Sequence, residues 1–219
     1  MVTPSGLAEE AAAAAMAEYV ECMDEITRRS RFVQDFYGLS VDRFPLPVVA
    51  ETVGLQMRKI LELIAKASLA AHRAAWDEAS LWFKRDWNAK AILERIEKVN
   101  PRFYPHPVKE SQVFASGPLK AEWEDVPEDI YLTKGRFIDA YDAIGKMMHA
   151  HLPGESVDYG GFLLRTRAWD EQIHELLAMH QVFLLGVPDA FFLVQMNVDG
   201  RPTWSQWAKI ESGEPPQIL

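Results

Sequence analysis

The stretch QVFLLGVPDAFFLVQMNVDGRPTWSQWAKI, residues 181–210, is where the periodicity of the chain changes. Its runs QVFLLG, AFFLVQMN and TWSQWAKI are rich in the aromatic and β-branched residues that fit a pleated surface, and PDA and VDGRP break them as turns do. These residues predict a small antiparallel hairpin or three-stranded sheet over about 181–211. The segments before it carry either the three- and four-residue spacing of helices or no spacing.

Working backwards, the helix expected over 160–180 has Phe162, Trp169, Ile173, Leu176 and Leu177 as its apolar stripe. Another follows a Thr133 cap, with Phe137, Tyr141, Ile144 and Met148 buried, and stops at Pro153-Gly154. Residues 77–99 form a third, with Leu81, Trp82, Trp87, Ile92 and Ile96 as apolar members, ended by Pro101. Val49, Val53, Met57, Ile60 and Ile64 mark a fourth, reaching about Arg73, whose Glu51, Arg58, Glu62, Lys66 and Arg73 face solvent or a partner. Ser5 to about Tyr37, with its alanine run, is the fifth, ended by Gly38. Between them, NPRFYPHPV at 100–108 is a stiff extended strap, and the chain up to Pro127 reads as a long loop. Phe103 and Tyr104 are expected to insert between the first helices and the helix at 134–151. The fold class is therefore mainly α: a bundle of about five helices with a small C-terminal β element. One domain is expected over 1–219, the bundle occupying about 5–180.

Charge and cysteine usage narrow the function. The net charge of −9 opposes the broad positive field that binds duplex DNA. A local basic patch, TRRSR at 27–31 or the series from Lys84 to Arg102, leaves contact with RNA open, although interleaved acids make a solvated, ion-paired face the simpler reading. The single cysteine, Cys22, permits no internal disulfide and reads as a helix residue facing inward. No apolar run approaches a membrane span, and the N-terminus, with Glu9 and Glu10, is unlike a signal peptide, so the expected setting is the cytoplasm.

Most chemistry drops out for lack of the residues it needs. The chain has no glycine-rich phosphate loop, no G-x-S-x-G and no H-E-x-x-H. A di-iron bundle needs paired Glu-x-x-His elements, and only Glu171 to His174 supplies one. His149 and His151, two apart on a helix, point in different directions. Neither a metal nor another cofactor is expected. What remains is RTRAWDEQIH, residues 165–174: seven residues advance a helix by about 700°, placing Arg167 and His174 on one face roughly 10 Å apart. An arginine that holds a phosphate and a histidine that titrates near neutrality suit metal-independent RNA cleavage by its own 2′-hydroxyl.

This R-x6-H element on a late helix of a bundle resembles the HEPN superfamily, which includes dimeric, metal-independent ribonucleases of bacterial defence and toxin–antitoxin systems. The resemblance implies Arg167 as phosphate holder and His174 as general acid and base, in a cleft between two copies. It departs from the pattern at Ala168, usually polar there, and at Asp170 and Glu171, which would repel phosphate. LQMRKILELIAKASLAAH, DWNAKAILERIEKVNPRFYPHP and FFLVQMNVDG are similar to segments of uncharacterised bacterial proteins, which implies a bacterial or phage origin. The leading expectation is a non-enzymatic helical interaction or dimerisation module, a homodimer or a binder of another protein, using Trp82, Trp87, Phe103 and Tyr104; Trp123, Trp204 and Trp207 are further candidates. The endoribonuclease is the alternative.

Overall fold

The helix at the centre of the molecule is the one whose apolar spacing is densest. In the computed structural model, which describes residues 4–40, 43–72, 88–114, 120–150, 152, 154–185, 187, 189–198, 200–208 and 217–218, it runs over Leu46–His72. Its Val49, Val53, Met57, Ile60, Leu61 and Ile64 are buried, as are Ala65, Ala67 and Ala71 on the turns beyond them. Among the described residues, four other helices pack on it. They are α1 at Pro4–Ser40, α3 at Ala89–Val99, α4 at Lys134–Met147 and α5 at Tyr159–Leu177, with the central helix as α2. Local chemistry starts them where it should. Asn88 accepts from the backbone N–H of Lys90 and Ala91, Thr133 from Arg136 and Asp158 from Gly161, each satisfying donors that the first turn leaves open. A Cβ at Gly161 would lie 2.0 Å from the Asp158 carboxylate, so a larger residue there would push the capping side chain aside. Gly54 lets α2 approach α5 closely, since a Cβ at that position would already touch the Phe162 ring at 3.3 Å. The described part of the predicted helix over 77–99 begins at Ala89; Trp82, Trp87, Leu81 and Arg73 lie outside the described residues.

The mainly α expectation is overturned by the strands. The stretch read as a loop forms β1 at His106–Phe114 and β2 at Lys120–Asp125. The end of the predicted last helix becomes β3 at Met179–Val182, followed by β4 at Ala190–Val198, β5 at Arg201–Ala208 and the two-residue β6 at Gln217–Ile218. All pair antiparallel, and the order β1-β2-β6-β5-β4-β3 closes into a barrel when His106 of β1 meets Gln181 of β3. The fold is thus mixed α and β, with a substantial sheet where a C-terminal hairpin was expected. The two strands pair with each other as a local hairpin, and their outer edges are then closed by segments distant in sequence, β1 by β3 and β2 by β6.

The barrel has its own core. Val108, Ala121, Phe183, Phe191, Leu193 and Trp207 fill it, with Trp123 edge-on to Trp207 at 4.6 Å and to Phe191 at 5.4 Å. Alternate residues of β4, Phe192 and Val194, point the other way into the core shared with the helices. That double burial explains why AFFLVQMN reads as a nearly unbroken apolar run. Between β4 and β5, Gly200 sits at φ +84°, the left-handed conformation a tight hairpin turn demands.

Candidate functional site

The two residues singled out for catalysis lie on α5, and both are exposed. They are not equivalent. The Arg167 guanidinium rests over the Tyr37 ring of α1, 4.7 Å from its centroid, and the Tyr37 hydroxyl hydrogen-bonds Thr166. His174 lies two turns further on, beside a cavity of about 180 Å3 between α1, α5 and the end of β4. Ile26, Ile173, Leu177 and Met196 give this cavity an apolar wall, whereas Thr27, Ser30, Gln34 and Asp170 line its polar side and Arg31 and Asn197 complete it.

Asp170 is the unusual group. It is 7% exposed, its Oδ2 accepts from Nε2 of Gln34 at 3.1 Å, and its Oδ1 has no hydrogen-bond partner among the described residues. Burial raises its pKa above the ordinary carboxylate value, a shift that the Gln34 hydrogen bond and the nearby Ser30 hydroxyl and His174 oppose. Sequence reading placed Asp170 on a polar flank. Helix α1 covers that flank, which no local pattern on α5 could reveal. On its outer side a second depression of about 590 Å3 brings Glu171 and Glu175 beside Asp170 and His174. The local field is therefore negative, which weakens contact with a phosphate and favours a cation.

The proposed binding aromatics have different positions. Phe103 is 3% exposed and belongs to the core that runs from Met16 to Val194, so it presents no surface to a partner. Tyr104 is half-buried against the same core and donates its hydroxyl to the Leu132 carbonyl at 2.9 Å. Trp207 lies inside the barrel, and Trp204 packs on Phe192 at 5.6 Å. The basic stretch at 27–31 is largely neutralised: Arg28 pairs with Asp24 and Glu25, and Arg29 with Glu25 at 2.6 Å. The ladder on α2 is also engaged, since Arg58 lies 4.2 Å over the Tyr141 ring and donates to its hydroxyl at 2.7 Å. Cys22 is half-buried, and burial raises its thiol pKa, so it is not an activated nucleophile.

The exposed aromatics lie elsewhere. At the hairpin between α1 and α2, Phe32 stacks on Phe36 at 5.6 Å, and Phe36 on Phe44 at 6.0 Å. Phe32 is 45% exposed and Phe44 49%, and Leu46 and Val48 follow at the start of α2, also exposed. Arg31 and Asp35, one turn apart on α1, flank Phe32 with opposite charges. The signal for this row was the i, i+4 pair of phenylalanines in RFVQDFYGL, hidden by its place in a long helix.

Among the described residues, no three His, Cys, Asp or Glu side chains converge as metal ligands, and no helix is long and apolar enough to cross a membrane. Comparison of the chain with protein-family models, with curated proteins and with solved structures finds no match.

Proposed function

We propose that this chain is a non-enzymatic interaction module that pairs with a second copy of itself through the Phe32, Phe36 and Phe44 row. The observation that carries the reading is the stacked, solvent-facing row itself, continued by Leu46 and Val48. Contiguous apolar surface of this kind marks interaction sites, and covering a phenylalanine contributes about 1.5–3 kcal/mol. The flanking charges favour a second copy over an unrelated partner: in an antiparallel α1 to α1 pairing across a two-fold axis, Arg31 of each protomer meets Asp35 of the other. A single half-buried cysteine suits a reducing, cytoplasmic setting in a bacterial or phage-infected cell. Sedimentation of the purified protein tests the reading: the wild type should be dimeric and the double variant Phe32→Ser, Phe44→Ser monomeric. A monomeric wild type at high concentration would overturn it.

The alternative, a HEPN-like metal-independent endoribonuclease, is supported by the exposure of Arg167 and His174 on one helix. It is opposed by the acidic surroundings of His174 and by the seat of Arg167 on Tyr37.

A further inference from the structure

A folded protein rarely leaves a carboxylate oxygen buried and unpaired, because the lost hydration is not returned by any partner. Asp170 is in this situation at the polar side of an apolar-walled cavity, with the Ser30 and Gln34 side chains beside it. A group that supplies several N–H donors and a positive charge would complete its hydrogen bonding; an anion would be repelled by it and by Glu171 and Glu175. The size is informative too. A cavity of about 150 Å3 lined by apolar side chains takes a benzene-sized molecule, and this one measures about 180 Å3. The two chemistries are segregated, carboxylate and hydroxyl on one side, Ile26, Ile173 and Met196 on the other, so the matching ligand is amphiphilic.

We propose that the cavity between α1 and α5 binds a small primary amine, its ammonium group on the Asp170 carboxylate and its apolar body against Ile26, Ile173 and Met196. Ser30 is the second acceptor for the ammonium hydrogens, through its hydroxyl oxygen. Arg31, also lining the cavity, repels a second positive charge, so the site selects a monoamine over a diamine. The site shares Arg31 with the proposed pairing surface, but Asp170, Ile26, Ile173 and Met196 take no part in that pairing, so binding of the amine and dimerisation are read separately.

Calorimetric titration of the full chain with 2-phenylethylamine and 3-methylbutylamine tests this, with the corresponding alcohols as neutral isosteres and 1,5-diaminopentane as the dication. Saturable binding of the monoamines, at least about tenfold weaker for Asp170→Asn, with weaker or no binding of the alcohols and the diamine, is the expected result. Thr27→Leu, which fills the cavity from α1 and leaves the carboxylate in place, should abolish binding while the circular dichroism spectrum is kept. No saturable binding of either monoamine would overturn the proposal and leave the cavity an internal water site. Equal binding of amine and alcohol, or of wild type and both variants, would overturn it as well.

Discussion

The Tyr19 hydroxyl lies 2.8 Å from Nε2 of His180, a residue 161 positions further along the chain, and both side chains are almost fully buried. Nδ1 of His180 is 2.9 Å from the Leu177 carbonyl, which can only accept, so the proton sits on Nδ1 and Tyr19 donates to Nε2. This bond ties the middle of α1 to β3 of the barrel. Tyr19→Phe leaves a buried acceptor unpaired and should lower stability by about 1–3 kcal/mol in urea unfolding.

The same pair sets a pH dependence. Burial holds the His180 pKa down to about 4 against 6.5, with the bond to Leu177 acting weakly the other way. Between those values the unfolded chain takes up the proton and the folded one does not, so stability is lost as pH falls from 6.5 towards 4 and levels off below. The loss attributable to His180 is about 3 kcal/mol, at 1.36 kcal/mol per pH unit. Unfolding measured at pH 7 and pH 5 should show the drop, and His180→Gln should reduce it; an unchanged slope would assign the titration to another group.

Asp170 acts in the opposite sense. With its acid pKa raised in the folded state, stability declines as pH rises from the ordinary carboxylate value to the folded one, and stays lower above it. Asp170→Asn removes the charge at nearly constant shape and is expected to raise Tm at pH 7, by about 2–4 °C for each kcal/mol recovered. A lower Tm would mean that the charge is already compensated.

Phe103 should behave as a core residue. Phe103→Ala is expected to cost about 3–5 kcal/mol and to leave a single unfolding transition. Two transitions in the wild type would show that the strap at 100–108 joins parts that melt independently.

Charge exchange examines the proposed pairing. Arg31→Asp alone should weaken the dimer, and adding Asp35→Arg should restore it, if the two positions meet across a two-fold axis as proposed. Failure of the double variant to recover the dimer seen in sedimentation would dissociate these charges from the interface.

RNA cleavage separates the two functional readings. Structured RNA incubated with the protein in EDTA should remain intact. Cleavage that disappears in His174→Ala would replace the interaction module with the ribonuclease.

The helices were legible because their evidence is local: Val49, Val53, Met57, Ile60 and Ile64 repeat within one segment, and Thr133 caps the turn that follows it, whereas the cap at Asn88 went unread inside the helix expected over 77–99. The strands in 181–210 were legible too, through β-branched and aromatic runs and the turn at Gly200. VKESQVF and KAEWED were not. In β2 only Ala121 and Trp123 alternate with the acidic Glu122 and Glu124, a short period-two signal surrounded by prolines and charge, and β1 finds one of its two partners in β3. Their mutual pairing is local, but the closure of β1 on β3 and of β2 on β6 joins segments far apart in sequence, which no local pattern announces. The same holds for the site. Arg167 and His174 share a face by helix geometry alone, but the burial of Asp170 depends on Gln34, 136 residues away on another helix. Periodicity places a side chain on a face; only the packing of a second element determines whether that face meets water, and hence whether a carboxylate on it is solvated or left in need of a partner.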